Sequence, residues 1–284
     1  MVRRQGKFGE AIFYATCLFS VGLGLLMLGA LLVDIFADGW HRLSLDFLTS
    51  YPSRRPQSAG LLVALVGSLY LMLLTAIISL PIGVGAAIYL EEYARNNAFT
   101  RLLEHNIANL AALPSIIYGL LGLQLFVRVF HLERSLLAGA FTMALLVLPI
   151  IIMSSREAIK RVPHSLREAA FALGATRWEV IRHQVLPVAF PGILTGCILA
   201  FSRAIGETAP LITIGAITYM AFLPDSLNSP FTVLPLQIFN WISRPQAGFH
   251  ANAAAGIIVL LVLLLGMNAV AVFLRRKLER RYRF

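Results

Sequence analysis

Six apolar stretches dominate the 284-residue chain, at 11–33, 60–89, 107–127, 136–154, 188–219 and 253–274. Each is close to or above the roughly 20 residues that an α-helix needs to cross a bilayer. Hydrocarbon offers no water to unpaired backbone groups, so the chain is expected to be an all-α polytopic membrane protein with about six transmembrane helices. Composition agrees: 58% of residues are hydrophobic and 13% charged, against about a quarter charged in soluble domains. The 188–219 stretch is too long for one straight crossing. The first stretch follows Arg3, Arg4 and Lys7, as a signal peptide would, but its apolar run exceeds the roughly 7 to 15 residues of such a leader. It reads as a retained span.

Most of the 24 Lys and Arg residues cluster in segments that alternate with the others across the membrane. Arg3, Arg4 and Lys7 share a side with Arg95 and Arg101, with Arg156, Lys160, Arg161, Arg167, Arg177 and Arg182, and with Arg275, Arg276, Lys277, Arg280, Arg281 and Arg283. Only Arg42, Arg54, Arg55, Arg128, Arg134 and Arg244 fall opposite. The positive-inside rule then places both termini and the 155–187 loop in the cytoplasm. This orientation accounts for the net charge of +10 without nucleic acid.

A single domain, 1–284, is expected, with a first span and outer loop (1–59), a five-helix core (60–274), the 155–187 loop and a basic tail (275–284). Trp40, Phe47 and Tyr51 in 34–58 read as interfacial aromatics, as does Trp241 in the outward loop 221–251. That second loop is either a docking surface for an external protein or simply polar. Pro81, Pro114, Pro149 and Pro210 each lie inside or at the end of an apolar stretch, where the missing N–H bends or interrupts a helix. For Pro149 the ordinary frequency of proline in membrane helices is explanation enough.

Two short helices are expected in the loop. Ser165-x-x-Glu168 and Thr176-x-x-Glu179 both read as capping boxes, and Gly174 between them can take the left-handed conformation that ends a helix. The second helix should run to Leu186-Pro187, leaving Trp178 exposed. Glu168-Ala169-Ala170-x-x-x-Gly174 followed by Leu186-Pro187 resembles the EAA loop of the permease subunits of bacterial ABC importers. The family usually has isoleucine where Gln184 stands. Ser202-Arg203-Ala204-Ile205-Gly206-Glu207-Thr208-Ala209-Pro210 is similar to the phosphate-specific branch of that family, as are 113–119 and 80–85.

The resemblance implies a type I ABC importer permease fold that carries inorganic phosphate through membrane lipid beside a homologous second permease. It implies two ATP-binding subunits, holding ATP and Mg while this chain holds no cofactor, and an external phosphate-binding protein. Glu168, Ala169, Ala170, Gly174 and Trp178 would then meet the ATPase.

Arg203 and Glu207, four residues apart, share a helix face, with Thr208 and the helix-breaking Pro210 alongside. Keeping a central Arg in a span costs roughly 2.5 to 3.5 kcal/mol even on lenient scales, so something offsets it. Either Glu207 neutralises it and the pair only fixes packing, or the guanidinium serves a passing anion, whose oxygens its planar fork matches. Arg203, Glu207, Thr208 and Pro210 are the expected substrate path.

Gly192-x-x-x-Gly196 offers a close helix approach, such as a seam with a second permease. The six histidines show no HExxH and no lysine completes GxxxxGK[ST], so zincin and P-loop chemistry have no motif here. Cys17 and Cys197 lie in apolar stretches and suggest neither a disulfide framework nor a metal site. A permease for another oxyanion stays open, as does a membrane enzyme acting on lipid phosphate; the latter lacks a nucleophile or second carboxylate in that span.

Overall fold

The structure, a computed structural model, describes residues 6–217 and 219–281, all helix and connecting loop with no strand among them. Arg3, Arg4 and Arg283, which contribute to the charge asymmetry, lie outside the described residues. In chain order the helices are α1 (Gly6–Gly39), α2 (Leu45–Thr49), α3 (Leu62–Ile88), α4 (Ala98–Ala111), α5 (Ser115–Gly122) and α6 (Leu136–Lys160). They continue as α7 (His164–Ala172), α8 (Arg177–Val180), α9 (Leu186–Ala204), α10 (Ala209–Ile214), α11 (Leu234–Ile242) and α12 (Ala247–Arg281). Wide π turns extend α3 through Tyr89–Tyr93, extend α5 through Leu123–Val129, and join α8 to α9 through Ile181–Val185.

Five helical segments are long and apolar enough to cross a membrane: Gly9–Arg42, Leu62–Tyr93, Leu136–Lys160, Arg177–Ala204 and Ala247–Lys277. The sixth is not one rod. Instead of a continuous helix over 107–127, α4 and the α5 segment meet at 105°. Two causes act together. Pro114 takes an extended ψ of 136° at the α5 cap, and α4 carries Arg101, Glu104, His105 and Asn109, too many polar groups for hydrocarbon. Proline does not interrupt α3 at Pro81 or α6 at Pro149, both of which run through.

α6 is the centre of the bundle: 61% of its apolar window is buried, mostly against α3 and α9, whereas none of that of α1 is. The seam between α6 and α9 is where the two small residues act. Gly192 lies against Ala158 and Gly196 against Ser154, so this motif joins two helices of one chain and not two permeases. Small residues are required there because a Cβ on Gly192 would stand 2.7 Å from that of Ala158.

The end of the bundle where α3 and α6 begin differs from the expected open loops. α1 continues to Gly39, and 221–251 contains α11, with Pro235 in its first turn. Phe47 and Trp241 are not interfacial. Both are about 1% exposed, with ring centroids 5.9 Å apart, in a cluster with Leu61, Leu234 and Phe249. Trp40 and Tyr51 do stay exposed. Arg42 ties this end together, bonding Asn252 Oδ1 (2.7 Å) and the carbonyls of Pro56 (2.8 Å), Gln57 and Ala59, with its guanidinium 5.3 Å over the Phe47 ring.

Candidate translocation site and coupling loop

The expected helix pair in the loop is present, but only one of its two capping boxes forms. α7 begins at His164 with Pro163 at the cap, and Ser165 accepts no capping hydrogen bond. Pro163, at φ −57° and ψ 137°, already sets the entry angle, and its carbonyl accepts from the Leu166 N–H. Glu168 is therefore exposed and makes no cap. At the second site Thr176 Oγ1 accepts from the Glu179 N–H (3.4 Å), and Glu179 Oε2 accepts from the Thr176 N–H (2.7 Å).

Gly174 sits between the helices at φ +83° with open space around it. Leu173 is 90% exposed, Trp178 52% and Phe171 47%, an apolar set left uncovered on a polar loop. Ala169, Ala170 and Gln184 line a cleft of about 530 Å³ between the two helices. The second helix does not stop at Leu186-Pro187. The π turn Ile181–Val185 widens just before Pro187, which enters α9 in its first turn, so the missing N–H breaks nothing.

Arg167 is the loop residue that the sequence hides. Counted only among the cytoplasmic charges that set orientation, it is 9% exposed. Its Nη1 donates to the Val162 carbonyl (2.6 Å), and its Nη2 donates to the Ile159 carbonyl (3.1 Å) and to Glu92 Oε1 (2.8 Å).

Within the bundle, α9 and α6 run antiparallel in step, as the Gly192 and Gly196 contacts fix. The same register carries Arg203 to the level of Val147, about halfway along α6. Arg203 thus lies at mid-depth. Its Nε is 3.3 Å from Glu207 Oε1, with the Arg side chain 45% and the Glu side chain 18% exposed. Arg203 is exposed, as are Leu199 one turn earlier on α9 and Gly206 just past its end, so the cation stands at the surface of the subunit.

α9 stops at Ala204, and α10 starts with Pro210 in its first turn. Between them the Gly206 N–H reaches only the Arg203 carbonyl (3.3 Å) and that of Glu207 the Ala204 carbonyl (3.1 Å). Half-buried Thr208 caps α10 through its carbonyl, which accepts from Ile212 (3.0 Å); its hydroxyl does not cap. Buried Pro210 packs with Thr213 against Gly119 of α5. One more polar group close to the pair was not foreseen: Asn268 of α12 accepts from Ser202 Oγ at 2.6 Å.

The fold recurs in solved transporters. A bacterial ABC transporter involved in the import of the acidic polysaccharide alginate matches 97% of this chain and 99% of that one, with a TM-score of 0.67 at 17% identity. The MetNI methionine ABC transporter, in inward-facing form, matches 76% and 92% with a TM-score of 0.58 at 20% identity. The fold is that of a type I ABC importer permease, a membrane transport subunit.

Among curated relatives, the phosphate transport system permease protein PstA of Haemophilus influenzae is 37% identical over 91% of both chains. The probable ABC transporter permease protein YqgI of Bacillus subtilis is 32% identical over 87% of this chain and 90% of its own. The chain belongs to the family of binding-protein-dependent transport system inner membrane components, whose family model matches residues 79–284.

Proposed function

We propose that this chain is the PstA-type permease subunit of an ATP-driven importer of inorganic phosphate. The observation that carries the reading is a half-exposed guanidinium at mid-depth, beside the gap between α9 and α10. A break in a membrane helix needs protein or water around it, and intramembrane charges as a rule line pathways. Arg203 offers the anion paired N–H donors. Glu207, on the more buried side, offsets part of the charge and keeps the ion from binding too tightly to leave. Thr208 and Pro210 hold the gap open.

The partners of this reading are a PstC-like second permease across the Arg203 face, two PstB-like subunits that bind ATP and Mg, and a PstS-like phosphate-binding protein. The exposed Glu168, Ala169, Gly174 and Trp178, with half-buried Ala170, form the surface offered to the ATPase. Its closure shifts the inward/outward balance only as far as it binds the loop differently in the two states. The loop and both termini face the cytoplasm of a bacterial inner membrane, an orientation checked by reporter fusions at either end.

Uptake of labelled phosphate into proteoliposomes holding the assembled complex tests the reading, with sulfate and molybdate as competitors. Arg203→Gln should abolish phosphate uptake while the complex still assembles. Unchanged uptake, or equal competition by sulfate, ends the phosphate assignment.

A further inference from the structure

The π turn Tyr89–Tyr93 at the end of α3 gathers ionic and ring contacts from α6, α7 and α8. Glu91 and Glu92 are adjacent, so they point about 100° apart and engage different neighbours. Glu91 Oε2 is 3.0 Å from Arg156 Nε on α6, and Arg156 Nη2 is 2.8 Å from Glu104 Oε1 on α4. Glu92 takes Arg167 of α7 at 2.8 Å and 3.2 Å, with both side chains nearly covered. Arg177, at the start of α8, lies 5.2 Å over the Tyr93 ring. Both helices of the coupling loop are thus fastened to one turn of α3.

We infer that this turn is the receiver of the ATPase stroke. Glu92–Arg167, seconded by Arg177 on Tyr93, makes the loop and α3 move as one body, so displacement of α7 reaches α3, which packs on α6 and meets α9, undiminished. The inference rests on the coupling role proposed above. Charged hydrogen bonds suit the task because they resist both sliding and separation. Arg167 is also fixed to the Ile159 carbonyl in the last turn of α6 and to the Val162 carbonyl just beyond it, and so cannot swing to another partner. Glu92 and Arg167 are positioning residues: neither needs to meet the ATPase or the solute.

Glu92→Gln keeps the shape and removes the charge. In the full complex in proteoliposomes, this variant should retain its ATPase subunits and hydrolyse ATP, while phosphate imported per ATP falls about tenfold, within the usual range of coupling between sites. Glu92→Asp should restore part of the ratio.

A second readout needs no solute. Spin labels at Leu173 and Ile82, both exposed, should keep one separation through the nucleotide cycle in the otherwise native chain. In Glu92→Gln that separation should change with nucleotide. Tyr93→Leu, which removes the ring beneath Arg177 and keeps an apolar side chain, should give a smaller loss in the same direction. An unchanged ratio in Glu92→Gln, a fixed label distance in that variant, or loss of its ATPase subunits overturns the inference. If the unsubstituted complex imports no phosphate, the functional reading fails instead, and the label distances still decide this one.

Discussion

Glu168 caps nothing, which makes its replacement informative. Glu168→Lys should leave the thermal unfolding of the isolated subunit unchanged while reducing the ATPase that co-purifies with it. Gly174 acts through its backbone. Its φ of +83° costs an L-residue roughly 1 to 2 kcal/mol, and the surrounding space is empty, so Gly174→Ala should misplace α8 without a clash. Weaker ATPase retention in pull-down would show it.

Gly174 was legible from spacing, as was the Arg203–Glu207 pair, because local geometry fixes both; the capping role that spacing gave Glu168 did not form. Arg167 was not legible. A cation in a polar loop reads as solvated, and its partner Glu92 lies 75 residues earlier. Ser165 misled for a nearer reason: Pro163 had already taken over the helix start.

At the level of elements, the small-residue seam separates two meanings of one motif. Gly196→Leu drives a side chain into Ser154 of the same subunit, and overpacking of this kind costs typically 1 to 3 kcal/mol. The purified single subunit should therefore melt lower in detergent, which a seam between permeases would not cause. Long apolar periodicity made α1, α3, α6, α9 and α12 readable. α11 was missed because Pro230, Pro235 and Asn228 disguise a short helix as loop, although proline in a first turn is compatible with one. The corner at Pro114 was expected as a break, but the apolar count could not say that α4 belongs to a different direction.

For the molecule as a whole, α1 is the least integrated part. It meets the bundle chiefly near Gly39, which packs on the backbone of Ala254 and Ala255. Arg42 then secures the following segment. Arg42→Ala leaves three carbonyls and Asn252 without this donor, at about 1 to 3 kcal/mol for a buried group left unsatisfied. Trypsin should then cut faster after exposed Arg54, as followed by gel.

The contact of Gly119 with Pro210 and Thr213 reaches further than its size suggests. Neither α5 nor α10 is a full crossing; each is a short rod, the first starting just after Pro114 and the second just after the 205–208 gap. Because no side chain separates them at Gly119, a displacement of either short helix bears directly on the other.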